Sequence, residues 1–246
     1  MSPEWQRLKE ALEEVRRLLE SFRGRGGLRH GLSYVRVSDI VEQARCEKRL
    51  EAILGWERVV DERVKLVDEL VRLVLGARRR IPESHRGILF IDAPLAALVR
   101  EVPIVGRPKA IVAEGGLVKG IVYASTSKRP ERLYDTDRVR AAAFCATLLY
   151  SPLPRVPNPL YFHVKARNRS ELAEAIEALR EQLEAGTRLP RWPGVHVIAC
   201  DEAYSLEVLE PLLAYWVGAR EAIARPGPWC SECPLRGVCE AAGNGV

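Results

Sequence analysis

The chain has 246 residues, of which 47% are hydrophobic and 29% are charged. This length and balance are typical of a folded globular protein with a full core, and they exclude a disordered chain. No stretch approaches the roughly 18 consecutive apolar residues of a membrane span, and the first residues lack the apolar segment of an export signal. We therefore expect a soluble, cytoplasmic protein with no membrane partner.

The charge of the chain is mildly basic, with a formal net charge of +5 and 31 arginines against 7 lysines. Arginine is well suited to bidentate contacts with phosphate, which would favour a nucleic-acid partner. The scarcity of thermolabile residues (three Asn, three Gln and one Met) is typical of a protein from a thermophile and offers a second explanation for the arginines. Nucleic-acid binding therefore needs support from elsewhere in the sequence.

Residues 3–22 predict an amphipathic helix, because their apolar positions recur at steps of three and four. Glycines at 24, 26 and 27 end this pattern. We expect residues 1–27 to form a helical appendage with a Gly-rich joint, followed by one domain over 28–246. The apolar stripe of the helix is expected to pack on the core, with a partner protein as the alternative.

Two further helices are predicted over about 38–53 and 57–79, with Ser38 as the N-cap of the first. Cys46 falls inside the first of them and is surrounded by charged residues. A lone helical cysteine is often a small buried hydrophobe, but these neighbours also suit a metal ligand near the surface.

The middle of the chain predicts a strand over 102–112, a Gly-rich turn and a partner strand over 117–124. A helix over 136–150 follows, with Cys145 expected in the core. Strands at 160–164 and 195–200 enclose a helix over 171–184, and a last helix is predicted over 202–224. This alternation predicts an α/β fold with a sheet flanked by helices.

The tail carries three cysteines, Cys230, Cys233 and Cys239, with the spacing C-x2-C-x5-C. In a reducing cytoplasm such a group indicates metal binding before it indicates disulfides. Three thiolates do not complete a tetrahedral site, and the best candidate for a fourth ligand is Cys46.

The order of these parts resembles the RecB-like iron–sulfur nucleases of the PD-(D/E)XK superfamily, in particular the CRISPR-associated Cas-four-type exonucleases. The resemblance covers most of residues 36–240. It implies a restriction-endonuclease-like core with a central mixed sheet, whose termini are joined by a [4Fe–4S] cluster. The implied ligands are Cys46, Cys230, Cys233 and Cys239, with zinc as the alternative to iron–sulfur.

The catalytic positions of that family are occupied here by other residue types. The family places an Asp shortly after a Gly on the first strand, a Glu-x-Lys on the second strand and a Gln-x3-Tyr on the next helix. Gly106 matches, but the Asp position holds Lys109, the Glu-x-Lys falls on 123–125 (Tyr-Ala-Ser), and the Gln-x3-Tyr falls on Arg140 and Phe144. A lysine repels a divalent cation, so we expect no Mg²⁺ or Mn²⁺ at the former site and assign no catalytic residue.

The sequence thus predicts a catalytically inactive nuclease-like protein that binds DNA or serves as a subunit of a DNA-processing complex, such as one for CRISPR adaptation. Expected phosphate contacts are basic residues near the former site: Lys109, Lys128, Arg129, Arg138 and Arg140. These cations could equally be solvated or paired with acids around a decayed site.

Two functional alternatives stay open. One is an active metal-dependent 5′- or 3′-DNA exonuclease whose acids have moved, with Glu101 and Glu114 as the nearest candidates. The other is a zinc-stapled structural scaffold that never meets nucleic acid.

Overall fold

The computed structural model describes residues 2–24, 26–55, 59–187, 190 and 192–239. Seven α-helices lie in these ranges: α1 (Pro3–Ser21), α2 (Val37–Arg45), α3 (Glu47–Leu54), α4 (Val59–Arg80), α5 (Asp135–Leu149), α6 (Arg169–Glu184) and α7 (Glu202–Trp216). Three short 3₁₀ turns accompany them, and the last, Pro228–Glu232, carries the first tail cysteine.

Eight strands form two mixed sheets. They are β1 (Val35–Arg36), β2 (Ile88–Ile91), β3 (Leu95–Val99), β4 (Val102–Gly106), β5 (Ala110–Glu114), β6 (Leu117–Thr126), β7 (Arg155–Ala166) and β8 (Val195–Ala199). The smaller sheet has the order β1-β4-β3 and the larger one β2-β5-β6-β7-β8. The pairs β1–β4 and β6–β7 are parallel and the others antiparallel. The predicted α/β class with flanking helices is confirmed.

Helices cover both faces of the larger sheet. Because side chains alternate along a strand, Val112, Val122 and Phe162 point to one face, where they pack against α6. Ile121 and Tyr161 point to the other, where they join the main core with α5. Helix α5 also packs against β3 and β4 of the smaller sheet, so it lies where the two sheets meet.

The first helix contributes its apolar stripe to the main core, as expected. Trp5, Leu8, Leu12 and Val15 are all buried, and α1 packs against α4 and β3. The division into a helical appendage over 1–27 and a domain over 28–246 stays a prediction.

The predicted helix through Cys46 is wrong, because the chain breaks at that residue into α2 and α3. Cys46 has an extended backbone (φ −167°, ψ 120°) and ends one helix while starting the next. The N-cap of α2 is Arg36 and not Ser38. The break turns the Cys46 thiol toward the tail, where it accepts a hydrogen bond from the Arg225 amide.

Two further predicted elements also differ in the structure. The strand predicted over 102–112 is two strands in different sheets, β4 and β5, separated by residues 107–109 with Pro108 at the centre. The last helix ends at Trp216 and not near 224, because Gly218 adopts a left-handed conformation (φ +74°) and its amide donates to the Tyr215 carbonyl.

Cys145 is buried as expected, but it forms a disulfide with Cys200, which the sequence analysis missed. The bond joins α5 to the residue that follows β8. Among the described residues, no helix has the length and apolar character needed to cross a lipid bilayer.

Candidate nucleic-acid interface and cysteine site

The positions aligned with the nuclease motifs come together between the two sheets. Gly106 ends β4, and a Cβ there would lie 2.7 Å from Cε1 of Phe144, so only glycine fits. The Arg140 guanidinium lies over the Tyr123 ring at 4.8 Å, and the rings of Tyr123 and Phe144 are 5.6 Å apart. All four residues line one cavity of about 250 Å³.

Lys109 and Tyr123 border a second, adjoining cavity of about 400 Å³. The backbone amide of Lys109 donates to the Val122 carbonyl (2.7 Å), which places Lys109 opposite the start of the aligned Tyr-Ala-Ser segment. Tyr123 and Arg107 line both cavities, which together form one groove, called the interface groove below.

The cations of the interface groove differ in how far their charge is compensated. Arg107 pairs with Glu69 at 3.0 Å, and Arg36 pairs with the buried Asp39 at 2.8 Å. Lys109 is exposed, and no ion pair joins it to any residue of the described ranges. Lys109 is therefore free to contact an anion in this groove.

Two carboxylates line the interface groove, and neither location suits a divalent metal. Glu42 is bound by Arg45 (2.5 Å) and by Arg49. Asp92 shares its cavity with Arg107 and Lys109, whose positive charges repel a divalent metal ion. Glu101, in the turn between β3 and β4, and Glu114, at the end of β5, are the alternative acids, and neither lines the groove.

Beneath the groove, α5 and the sheet enclose a buried ion-pair network. Asp137 accepts hydrogen bonds from Lys165 (2.7 Å), Arg140 (2.9 Å) and the Tyr134 amide (3.1 Å). Lys165 is only 2% exposed. Burial alone would raise the pKa of Asp137, but the hydrogen bond from Lys165 holds that pKa below its usual value. The charge of Arg140 is therefore compensated inside the protein by Asp137.

His163 is fully buried beside this network. Its Nε2 lies 2.9 Å from Ser125 Oγ, and burial lowers its pKa from the ordinary value of 6.5 to about 3. Its Nδ1 is 3.9 Å from Asp137 and has no hydrogen-bond partner among the described residues. Because the imidazole Nδ1 donates no hydrogen bond to Asp137, these three residues lack the geometry of a serine-hydrolase triad.

The other predicted phosphate contacts lie at the surface. Lys128 and Arg129 follow the end of β6, and Arg138 projects from α5; all three are exposed. None of them belongs to the residues that line the interface groove. The structure thus places Lys109 and Arg140 in the two adjoining cavities, both of which Tyr123 lines, and leaves the remaining three on the adjoining loop and helix.

Sequence reasoning missed Asp137, His163 and Lys165, although each left a signal. Asp137 occupies the third position of α5, where an acid caps the helix start. His163 and Lys165 alternate with apolar residues in β7, and polar side chains at inward positions of a buried strand indicate an internal network.

The cysteine site contains all four predicted ligands. Cys46, Cys230, Cys233 and Cys239 line one small cavity of about 10 Å³, between the α2–α3 break and the tail. The Arg225 amide donates to Cys46 Sγ, and the Gly227 amide donates to Cys230 Sγ, both at 3.4 Å. Hydrogen bonds of this kind stabilise the negative charge of a thiolate.

The donor set of this site is purely sulfur, which suits zinc or an iron–sulfur cluster and disfavours Mg²⁺ or Ca²⁺. Within the described ranges, no three His, Cys, Asp or Glu side chains converge closely enough to hold a single ion. The four thiols therefore surround a common space without meeting at one point.

Comparisons with known proteins do not assign a family to this chain. No family model and no curated protein matches it. A solved structure, "Crystal structure of SSO0001", aligns with 94% of this chain and 97% of its own, at 12% identity and a TM-score of 0.39. A likeness at that identity and score carries no argument about function.

Proposed function

We propose that this chain is a catalytically inactive, RecB-like iron–sulfur nuclease-like protein with a restriction-endonuclease-like core. It binds DNA, alone or as a subunit of a DNA-processing complex such as one for CRISPR adaptation. The observation that carries the proposal is the adjacency of Lys109 and Tyr123 in the interface groove. Those are the two positions where the resemblance places metal-binding carboxylates.

The chemistry of the groove favours phosphate over metal. Mg²⁺ and Mn²⁺ need several hard oxygen ligands, whereas the residues at the matching positions are a lysine, a tyrosine and an arginine. Lys109 can contact a phosphate oxygen without metal, and Tyr123 offers a partly exposed ring for stacking on a base. Arg140 is bound to Asp137, so its contribution is to hold Tyr123 in place.

The chemistry of the donor set supports a [4Fe–4S] cluster, which Cys46, Cys230, Cys233 and Cys239 would hold. Four soft thiolates and backbone N–H donors to two of the sulfurs are the ligand set that such clusters use. A bound cluster would be held by Cys46 at the α2–α3 break and by the three cysteines of the tail, and would so tie the two segments together. Its role here is to keep the fold closed.

The DNA-binding part is tested by measuring affinity for duplex and single-stranded DNA over a range of salt concentrations, in chelator. We expect salt-sensitive binding that persists without divalent metal, and Lys109→Gln should weaken it and reduce the salt slope by about 1. Lys119→Gln is the matched control, because it removes the same charge from a lysine already paired with Glu114. Absence of salt-sensitive binding would leave only the partner-subunit version.

The metal is tested on protein purified without oxygen, by iron, sulfide and zinc analysis with visible absorbance. The proposal expects about four iron atoms per chain. One zinc per chain and no iron would instead support the zinc-stapled scaffold. Cys239→Ser should lower the iron content, whereas Cys145→Ser, outside the site, should leave it unchanged.

A further inference from the structure

Glu47, the residue next to Cys46, has more buried polar contacts than a helix-start residue needs. It is 0% exposed, and its carboxylate accepts hydrogen bonds from Gln43 Nε2 (2.9 Å), the Ile223 amide (2.8 Å) and both terminal nitrogens of Arg220 (2.6 and 2.5 Å). A bidentate pair between arginine and a carboxylate is among the strongest polar contacts in proteins.

These partners come from segments far apart in the chain. Gln43 is on α2, four residues before Glu47, while Arg220 and Ile223 lie between α7 and the tail cysteines. The Glu47 amide also donates to the Ile223 carbonyl (3.2 Å), so backbone and side chain hold the same residue. Residues 217–227 contain no helix or strand, and the Glu47 contacts hold them together with a hydrogen bond from Arg29 to the Arg220 carbonyl (2.9 Å).

Gln43 extends the same arrangement to α7. Its amide nitrogen donates to the Leu212 carbonyl (2.9 Å), and its oxygen accepts from Trp216 Nε1 (2.7 Å). Gln43 and Trp216 are both fully buried. The carboxylate of Glu47 is thus oriented by a side chain that is itself anchored on the last helix.

Two residues after Ile223, the chain contacts Cys46 directly. There the Arg225 amide reaches Cys46 Sγ at 3.4 Å, and the Arg225 guanidinium donates to the Ala44 carbonyl (3.3 Å). The chain then continues directly into Gly227 and Cys230.

We propose that Glu47 is the positioning residue of the cysteine site, and that it docks the tail on Cys46 before any metal binds. The set of contacts made by Glu47, Gln43, Arg220 and Ile223 is called the Glu47 clasp. The inference rests on the proposed function for the identity of the bound group, but every contact of the Glu47 clasp joins two groups of the chain itself. Its function is to bring a ligand from the first quarter of the chain within reach of three ligands at the other end.

The test is hydrogen exchange of the Ile223 and Arg225 amides in the full-length protein. The sample is stripped of metal, and the cysteines of its tail are kept reduced. We expect slow exchange in the wild type and exchange faster by about tenfold or more in Glu47→Ala, because the acceptor of the Ile223 amide is gone. Arg220→Lys keeps the charge but loses the fork of two hydrogen bonds, and it should give a smaller acceleration. Glu13→Gln is the control, since Glu13 also pairs with arginine but lies on α1.

Each outcome decides between the clasp and a merely stabilising ion pair. Unprotected amides in the metal-free wild type, or equal protection in wild type and both variants, would overturn the proposal. If Glu47→Ala does not fold, Arg220→Lys decides alone, because Arg220 is partly exposed and its replacement leaves the core intact. Metal analysis of the same samples is independent: protected amides in a chain that binds neither iron nor zinc would refute the metal site and leave the clasp standing.

Discussion

The burial of His163 predicts a specific loss of stability in mild acid. The pKa of this imidazole is about 3 in the folded protein against an ordinary value of 6.5, since burial disfavours its charged form. Between those two values the unfolded chain binds more protons than the folded one, so the free energy of unfolding falls as pH decreases. The contribution of His163 is complete above about pH 6.5 and is lost progressively toward pH 3.

The size of the effect follows from the same two pKa values. Integrating the proton-binding difference from pH 7 to pH 5 gives about 2 kcal/mol for one such group. Asp137, Lys165 and Arg140 face His163 from the adjacent ion-pair network. The imidazole of His196 lies against the same ring, with the two centroids 6.5 Å apart.

Urea unfolding of wild type and His163→Gln at pH 7 and pH 5 measures this contribution as a difference of differences. We expect the loss of stability on acidification to be smaller by about 2 kcal/mol in the variant. Ser125→Ala is the control, because it removes the hydrogen-bond partner of Nε2 and keeps the imidazole. Identical pH dependence in wild type and His163→Gln would refute the argument that burial keeps this histidine neutral.

Three further changes test the packing around the interface groove. Asp137→Asn should lower the free energy of unfolding by about 3–5 kcal/mol, because it leaves the buried Lys165 without its anionic partner; a loss below 1 kcal/mol in urea unfolding would contradict the network. Cys200→Ala removes a cross-link over 55 residues and should cost about 4 kcal/mol by chain entropy. We expect a reductant to lower the melting temperature of the wild type and to leave that of the variant unchanged. Gly106→Ala places a methyl group 2.7 Å from Phe144 and should cost about 1–3 kcal/mol, so an unchanged melting temperature would show that the contact is looser than described.

Periodicity predicted the helices that bury a single apolar stripe. The ends of α1 and α4 lie within two residues of the prediction, because apolar stripes set both. The break at Cys46 could not be predicted, since it depends on contacts with Ile223 and Arg225 almost 180 residues away. Local propensity favours a continuous helix there, and tertiary contacts override it.

The boundaries of the strands also depend on contacts between residues that are far apart in the sequence. The run 102–112 is apolar at both ends with only Arg107 and Lys109 between them, so periodicity alone could not show that β4 and β5 belong to different sheets. Pro108 was the available signal, because a proline lacks the amide needed inside a ladder. Gly218 was the equivalent signal for the end of α7.

The site was partly predictable for a definable reason. A strand, a Gly-rich turn and a second strand place Lys109 near Tyr123 by antiparallel register, which sequence spacing can anticipate. The network around Asp137 depends on the parallel pairing of β6 with β7, which no local pattern reveals. The disulfide could not be predicted, because only the tertiary fold brings Cys145 of α5 next to Cys200, 55 residues further along the chain.

The central claim is that this chain binds DNA through the interface groove and does not cut it. The most direct measurement is native and denaturing electrophoresis of one labelled DNA sample after incubation with the protein, in Mn²⁺ and in chelator. The account predicts a shifted band in both conditions, weakened by Lys109→Gln, with DNA of unchanged length. Shortened DNA in Mn²⁺ that disappears with chelator would contradict the account and establish an active nuclease built on other acids.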